Sequence, residues 1–172
     1  MASEKKVVFL RSSDGEAFEV SEEVISAASV TIKGMIDEES PSRADTAATT
    51  TLAIPNVTAA TLSRVLHYVN KHFDAAAVVG RPDDYIFCAP GDEHPLARFD
   101  DDFVDVDNDT LIDLVHAAEY LHIKKLFDLT CKAVADKLKG RTIDQIRETF
   151  GIVNDYTVEE EVEVYRENSW AF

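Results

Sequence analysis

Residues 107–138 read DNDTLIDLVHAAEYLHIKKLFDLTCKAVADKL, and the spacing of apolar residues along this run decides the fold. From Thr110 to His122, Leu111, Leu114, Val115, Ala118 and Leu121 recur at three and four residues, giving a helix one apolar face that has to be covered. Asp107, Asn108 and Asp109 are each suitable caps for its start. Ile123, Leu126, Phe127, Thr130, Cys131, Val134, Ala135 and Leu138 carry the same spacing into a second helix. It closes on Lys137, Lys139 and Gly140, positive charge followed by a residue that turns left-handed without strain.

Beyond this pair, Thr142-Ile-Asp-Gln145 and Thr157-Val-Glu-Glu160 each have the form of a capping box, in which the Thr hydroxyl and the Gln or Glu side chain serve each other's backbone amides. Two short helices should start there. Ile143, Ile146 and Phe150 form a stripe on the first, Ile152 and Val153 follow Gly151, Val158, Val162 and Tyr165 form a stripe on the second, and Trp170 stands near the end. Helices this short are not stable alone. Either they fold back on the core of their own domain or they clasp the helices of a partner.

Towards the N-terminus, Val7, Val8, Phe9 and Leu10 meet the turn Ser12-Ser-Asp-Gly15, and Glu16–Val20 alternates polar and apolar, so the pair reads as a β-hairpin. Ser21, followed by Glu22 and Glu23, is expected to cap a short helix to about Ala28, and a second should span Val30 to Glu38. Ser40–Thr51 is small, polar and aperiodic and reads as a mobile loop. Leu52-Ala-Ile54 reads as a short strand, and Thr58 caps a helix with the stripe Leu62, Val65, Leu66 and Val69. From Asp74 to Asp109 the periodicity fails as Gly, Pro and acids accumulate, and the run reads as solvated chain with one apolar island at Tyr85-Ile-Phe-Cys88.

The 172 residues fit one domain, or one domain with a helical appendage. The formal charge of −16, from 33 acids against 17 bases, argues against nucleic acid and anionic membrane as main ligands, since both need a basic patch, and makes proteins the expected partner class. With Cys88 and Cys131 as its cysteines and no apolar run approaching a membrane span, the chain is expected in a reducing intracellular compartment. The glycines stand singly, so no phosphate-cradling loop is formed, and no G-x-S-x-G elbow occurs. Asp105, Asp107 and Asp109 imitate half a calcium loop, but Thr110 stands where its glycine belongs and His116 where its closing Glu belongs. The five histidines keep no structural-zinc spacing with each other or with the cysteines. The expectation is a protein with no active site, metal or cofactor.

Taken in order, Ser12-Ser-Asp-Gly-Glu-Ala-Phe-Glu-Val20, Ile54-Pro-Asn-Val57, Ala117-Ala-Glu-Tyr-Leu121, Leu126-Phe-Asp-Leu-Thr-Cys131, Val134-Ala135, Ile146-Arg-Glu-Thr-Phe150, Asn154-Asp155 and Glu167-Asn-Ser-Trp170 closely resemble the S-phase kinase-associated adaptor (Skp) family. The Trp170-Ala-Phe172 end looks most like its plant branch. The resemblance implies an α+β fold: a BTB/POZ domain over residues 1–127, a small three-stranded sheet with helices and a mobile acidic loop at 74–98, followed by an all-helical F-box-binding extension over 128–172. It implies a non-catalytic adaptor of SCF ubiquitin ligases, in nucleus and cytoplasm, that links a cullin scaffold to F-box substrate receptors. The rival is a homo-oligomeric BTB interaction protein, since such domains can form homodimers when no F-box is present.

By the same resemblance, cullin binding would fall to Glu119, Tyr120 and Ile123. F-box binding would fall to Cys131, Val134, Leu138, Ile143, Ile146, Arg147, Phe150, Val153, Asn154 and Trp170, with Arg147 and Asn154 setting polar register at the rim. Surface charges contribute little to such an interface, so neutralising Glu159 or Glu161 should cost little affinity. The chain departs from the family in having Glu119 where Asn is common, and Ile143 and Val158 where Pro usually opens the short helices.

Overall fold

A computed structural model describes residues 6–39, 50–79 and 96–171. The chain divides into two compact units between Lys137 and Leu138. In the first, β1 (Val7–Arg11) pairs antiparallel with β2 (Ala17–Ser21) and parallel with β3 (Thr50–Ala53), giving the order β2-β1-β3. The period-two pattern sends Val8 and Leu10 of β1, Val20 of β2 and Leu52 of β3 into the core. β3 begins two residues earlier than expected, so Thr50 and Thr51 belong to the sheet; residues 40–49 of the expected loop lie outside the described residues.

The hairpin turn does more than reverse the chain. Ser12 Oγ donates to Asp14 Oδ1 at 2.6 Å and accepts from Glu16 N at 3.1 Å, while Gly15 takes the left-handed φ of 90° that this turn needs. Asp14 Oδ1 also accepts from Ala59 N at 2.9 Å, at the start of α3 (Ala59–Val79), where the Thr58 hydroxyl takes the Thr61 amide. One turn carboxylate thus serves an amide 45 positions away. The Ser12 hydroxyl holds the Asp14 carboxyl below its ordinary value, with the Ala59 amide adding to the effect.

Between the hairpin and β3 lie α1 (Glu22–Ala28) and α2 (Val30–Glu39). Ser21 occupies the cap position of α1, but its side chain makes no capping bond. It is the last residue of β2, and the next amide, Glu22 N, donates to Lys6 O at 2.9 Å. Ser29, fully buried at the α1–α2 junction, donates through Oγ to Leu121 O and accepts from Ile32 N. Thr31 Oγ1 donates to Tyr120 O at 3.0 Å. These hydroxyls satisfy carbonyls at the end of α5 (Asn108–Tyr120) that have no partner within the helix.

α3 buries Leu62, Val65, Leu66, Tyr68 and Val69, and it continues past Asp74, where the sequence pattern stopped, to Val79. Ala75, Ala76 and Ala77 extend it because alanine carries the least helical cost. Nor is Arg98–Val104 solvated chain: α4 (Ala97–Val104) is a helix. Phe99 and Phe103, four apart, pack on Tyr68 with ring centroids 6.5 and 5.2 Å away, and His72 Nε2 lies 2.8 Å from Asp100 Oδ1. Burial among these rings, with Asp100 next in effect, raises the Tyr68 hydroxyl far above its ordinary value. Tyr85–Cys88 lies outside the described residues.

Asp107, of the three candidates, caps α5, its Oδ2 accepting from Thr110 N at 2.9 Å. The helix ends on a left-handed His122 (φ 50°), with Ile123 N returning to Ala118 O, and α6 (Lys124–Leu138) follows. In the second unit, α7 (Ile143–Phe150) and α8 (Val158–Glu167) both open with the expected capping boxes, and α7 closes on Gly151 at φ 63°. A single 3-10 turn, Ser169–Ala171, ends the described chain.

Candidate functional site

Neither α7 nor α8 has a buried residue. Their backbones are nevertheless well satisfied. Thr142 N donates to Gln145 Oε1 and Gln145 N to Thr142 Oγ1; Thr157 N donates to Glu160 Oε2 and Glu160 N to Thr157 Oγ1. The Thr157 amide and hydroxyl hold the Glu160 carboxyl below its ordinary value. Arg141 Nη1 donates to Thr149 Oγ1 at 2.7 Å, so the chain leading into α7 is tied to its last turn. Caps therefore stand in for a core, and the apolar side chains are left outward.

Those side chains are the ones singled out from the sequence. Exposure runs from 37% at Ile143 through 63% at Val162 and 75% at Val158 to 82% at Val153 and 84% at Trp170. Ile146 and Phe150 are half-buried, as are Cys131, Val134 and Leu138 of α6. Exposed apolar surface of this extent on so small a unit is uncommon for a surface that stays uncovered.

The polar candidates have contacts within the chain. Arg147 Nη1 reaches Glu161 Oε1 at 3.3 Å, and Asn154 Nδ2 reaches the same oxygen at 3.5 Å, while Asn154 Oδ1 accepts from Tyr156 N. Arg147 and Asn154 are thus engaged within their own unit, and Glu161, which charge alone classed with Glu159, is where they meet.

In the first unit Glu119 is exposed, and Tyr120 is half-buried, its ring against the core and its carbonyl held by Thr31. Ile123 corrects the grouping of these three: it is 4% exposed and packed in the core, so its side chain belongs to the fold rather than to the exposed face that Glu119 occupies. One depression of about 320 Å³ is lined by Arg11, Ser12, Ser13, Gly15, Ala53, Ile54 and Pro55, and the Ser12 hydroxyl in it is committed to the hairpin turn through Asp14 and Glu16. Among the described residues, no group of three His, Cys, Asp or Glu is placed to hold a metal ion, and no helix is long and apolar enough to cross a membrane.

Comparison with known proteins gives two family matches. The model for the Skp1 family tetramerisation domain matches residues 6–74, and that for the Skp1 family dimerisation domain matches residues 124–171. SKP1-like protein 3 of Arabidopsis thaliana is 50% identical over 172 residues, covering 100% of this chain and 99% of that protein. SKP1-like protein 4 of the same plant is 49% identical over 172 residues, with the same coverage. SKP1-like protein 20 of Oryza sativa subsp. japonica is 46% identical over 178 residues, covering 99% of this chain and 97% of its own.

Proposed function

The chain belongs to the Skp1 family, and from that premise we propose how it divides its surface between two partners. It is an adaptor of the SCF type of ubiquitin ligase, linking a cullin scaffold to F-box proteins. It contributes position to ubiquitination and no reacting group.

The F-box surface lies on α7, α8 and the terminal turn. One observation carries this: Ile143, Val158 and Val162 on helices that open with capping boxes, Val153 in the connector between them and Trp170 in the terminal turn all remain exposed, so the surface is held in shape and left uncovered. Ile146 and Phe150 anchor the same stripe from half-buried positions, and Cys131, Val134 and Leu138 of α6 belong to the residues that the same binding assay should test by substitution. The cullin face centres on Glu119 and Tyr120, presented by a helix end that Ser29 at the α1–α2 junction and Thr31 of α2 brace. The adaptor would work in nucleus and cytoplasm, which a fluorescent fusion checks.

Multi-angle light scattering tests the reading. Mixed with an F-box domain the chain should give a one-to-one complex, and with a cullin added, a ternary one. If the free chain self-associates, the F-box domain should dissolve that oligomer. An oligomer that persists in F-box excess would favour a homo-oligomeric BTB protein, and a chain that binds neither partner would refute the adaptor reading.

A further inference from the structure

We propose that Glu161 is the positioning residue of the F-box surface, the group at which α7, the connector from Gly151 to Thr157 and α8 are held in one arrangement. This rests on the assignment of that surface to F-box binding. Its carboxylate oxygen Oε1 receives Arg147 Nη1 from α7 at 3.3 Å and Asn154 Nδ2 from the connector at 3.5 Å. The residue itself is fixed in the first turn of α8, its amide donating to Thr157 O at 3.0 Å.

Burial separates this contact from its neighbour. The Arg147 side chain is 19% exposed and that of Glu161 35%, whereas Asp144, 3.4 Å from the same guanidinium nitrogen, is 92% exposed. Solvent screens the Asp144 pair more than the Glu161 pair. The connector has no intermediate or buried residue from Gly151 to Thr157, so its course depends on polar ties such as these. Asn154 passes the constraint on, because its Oδ1 accepts the Tyr156 amide two residues before α8 begins. The apolar stripe of α7 ends at Phe150 and that of α8 begins at Val158, so a group fixing the connector fixes the angle between the stripes.

The test uses the full chain, its variants and an F-box domain. Glu161→Ala should weaken F-box binding about tenfold, the size of coupling seen among members of one polar network. Glu161→Gln keeps an oxygen for both donors and should recover most of that loss, whereas Asp144→Asn and Glu159→Gln should stay within about twofold. Arg147→Ala combined with Glu161→Ala should bind no worse than either alone. Hydrogen exchange on the free chain reads the same device without a partner: amides 152–157 should exchange faster in Glu161→Ala and recover in Glu161→Gln. Unchanged connector exchange in Glu161→Ala would overturn the positioning role whatever the affinities. A loosened connector with wild-type affinity would overturn its relevance to binding. Failure of the wild-type chain to bind would instead refute the surface assignment on which the role depends.

Discussion

Replacing Trp170 by alanine should leave the free protein unchanged and damage its complex. A Trp side chain offers roughly 200 Å² to burial, and here 84% of the residue is still exposed. Covering most of that remainder at about 25 cal/mol per Å² gives an upper bound near 4 kcal/mol. Side-chain ordering and imperfect desolvation take part of this back, leaving about 2 kcal/mol, close to a thirtyfold loss of affinity. Isothermal titration calorimetry with an F-box domain measures the loss, and a thermal melt of the free chain serves as control. Because Trp170 is so little covered, the melting temperature should move by no more than about 1 °C, as for a surface substitution. A melting temperature that falls by several degrees while affinity holds would mean that Trp170 is part of its own unit's core, and the reasoning would fail.

Phe103→Ala removes a 7% exposed ring from the Tyr68 cluster and should cost about 3 kcal/mol or more of stability, read by denaturant unfolding, with F-box affinity retained. Tyr120→Lys should weaken cullin binding by about 2 kcal/mol in a pull-down titration while F-box binding persists; loss of both would indicate a purely structural residue. The Thr110 amide holds the Asp107 carboxyl below its ordinary 3.8, so folding favours the ionised form. That contribution is complete above 3.8 and disappears as pH falls through the lower folded value. Asp107→Asn should therefore flatten the acid limb of a melting-temperature profile below that pH and leave its slope near neutrality unchanged.

Local signals carried most of this fold. A capping box needs two residues three apart, and both boxes are present; a helix needs a periodic stripe, and α5 and α6 have unbroken ones. Local chemistry failed where a distant contact or a competing signal decided the outcome. In α4 the run Asp100-Asp-Asp102 dominates composition, yet the four-residue spacing of Phe99 and Phe103 was there to be read, and their burial against Tyr68 wins. Nothing near Ser21 says that its neighbour's amide will be taken by Lys6, or that Asp14 will reach Ala59. Ile123, just before α6, continues the apolar stripe of that helix, and this periodicity agrees with its buried side chain. Glu161 was hidden among four consecutive positions of which three are glutamate, because charge alone does not tell a solvated carboxylate from one that two donors share.

Amide hydrogen exchange across residues 142–170, with and without an F-box domain, tests most directly the claim that the second unit is a prepared and uncovered receptor. With no buried residue in α7 or α8, amides there should be only partly protected in the free chain, exchanging faster than those of α5, and should slow markedly in the complex, while those of α5, whose Leu111, Leu114, Ala117 and Ala118 are already in the core, change little. Equal protection of 142–170 in both states would contradict the account and show that these helices belong to the chain's own folded core.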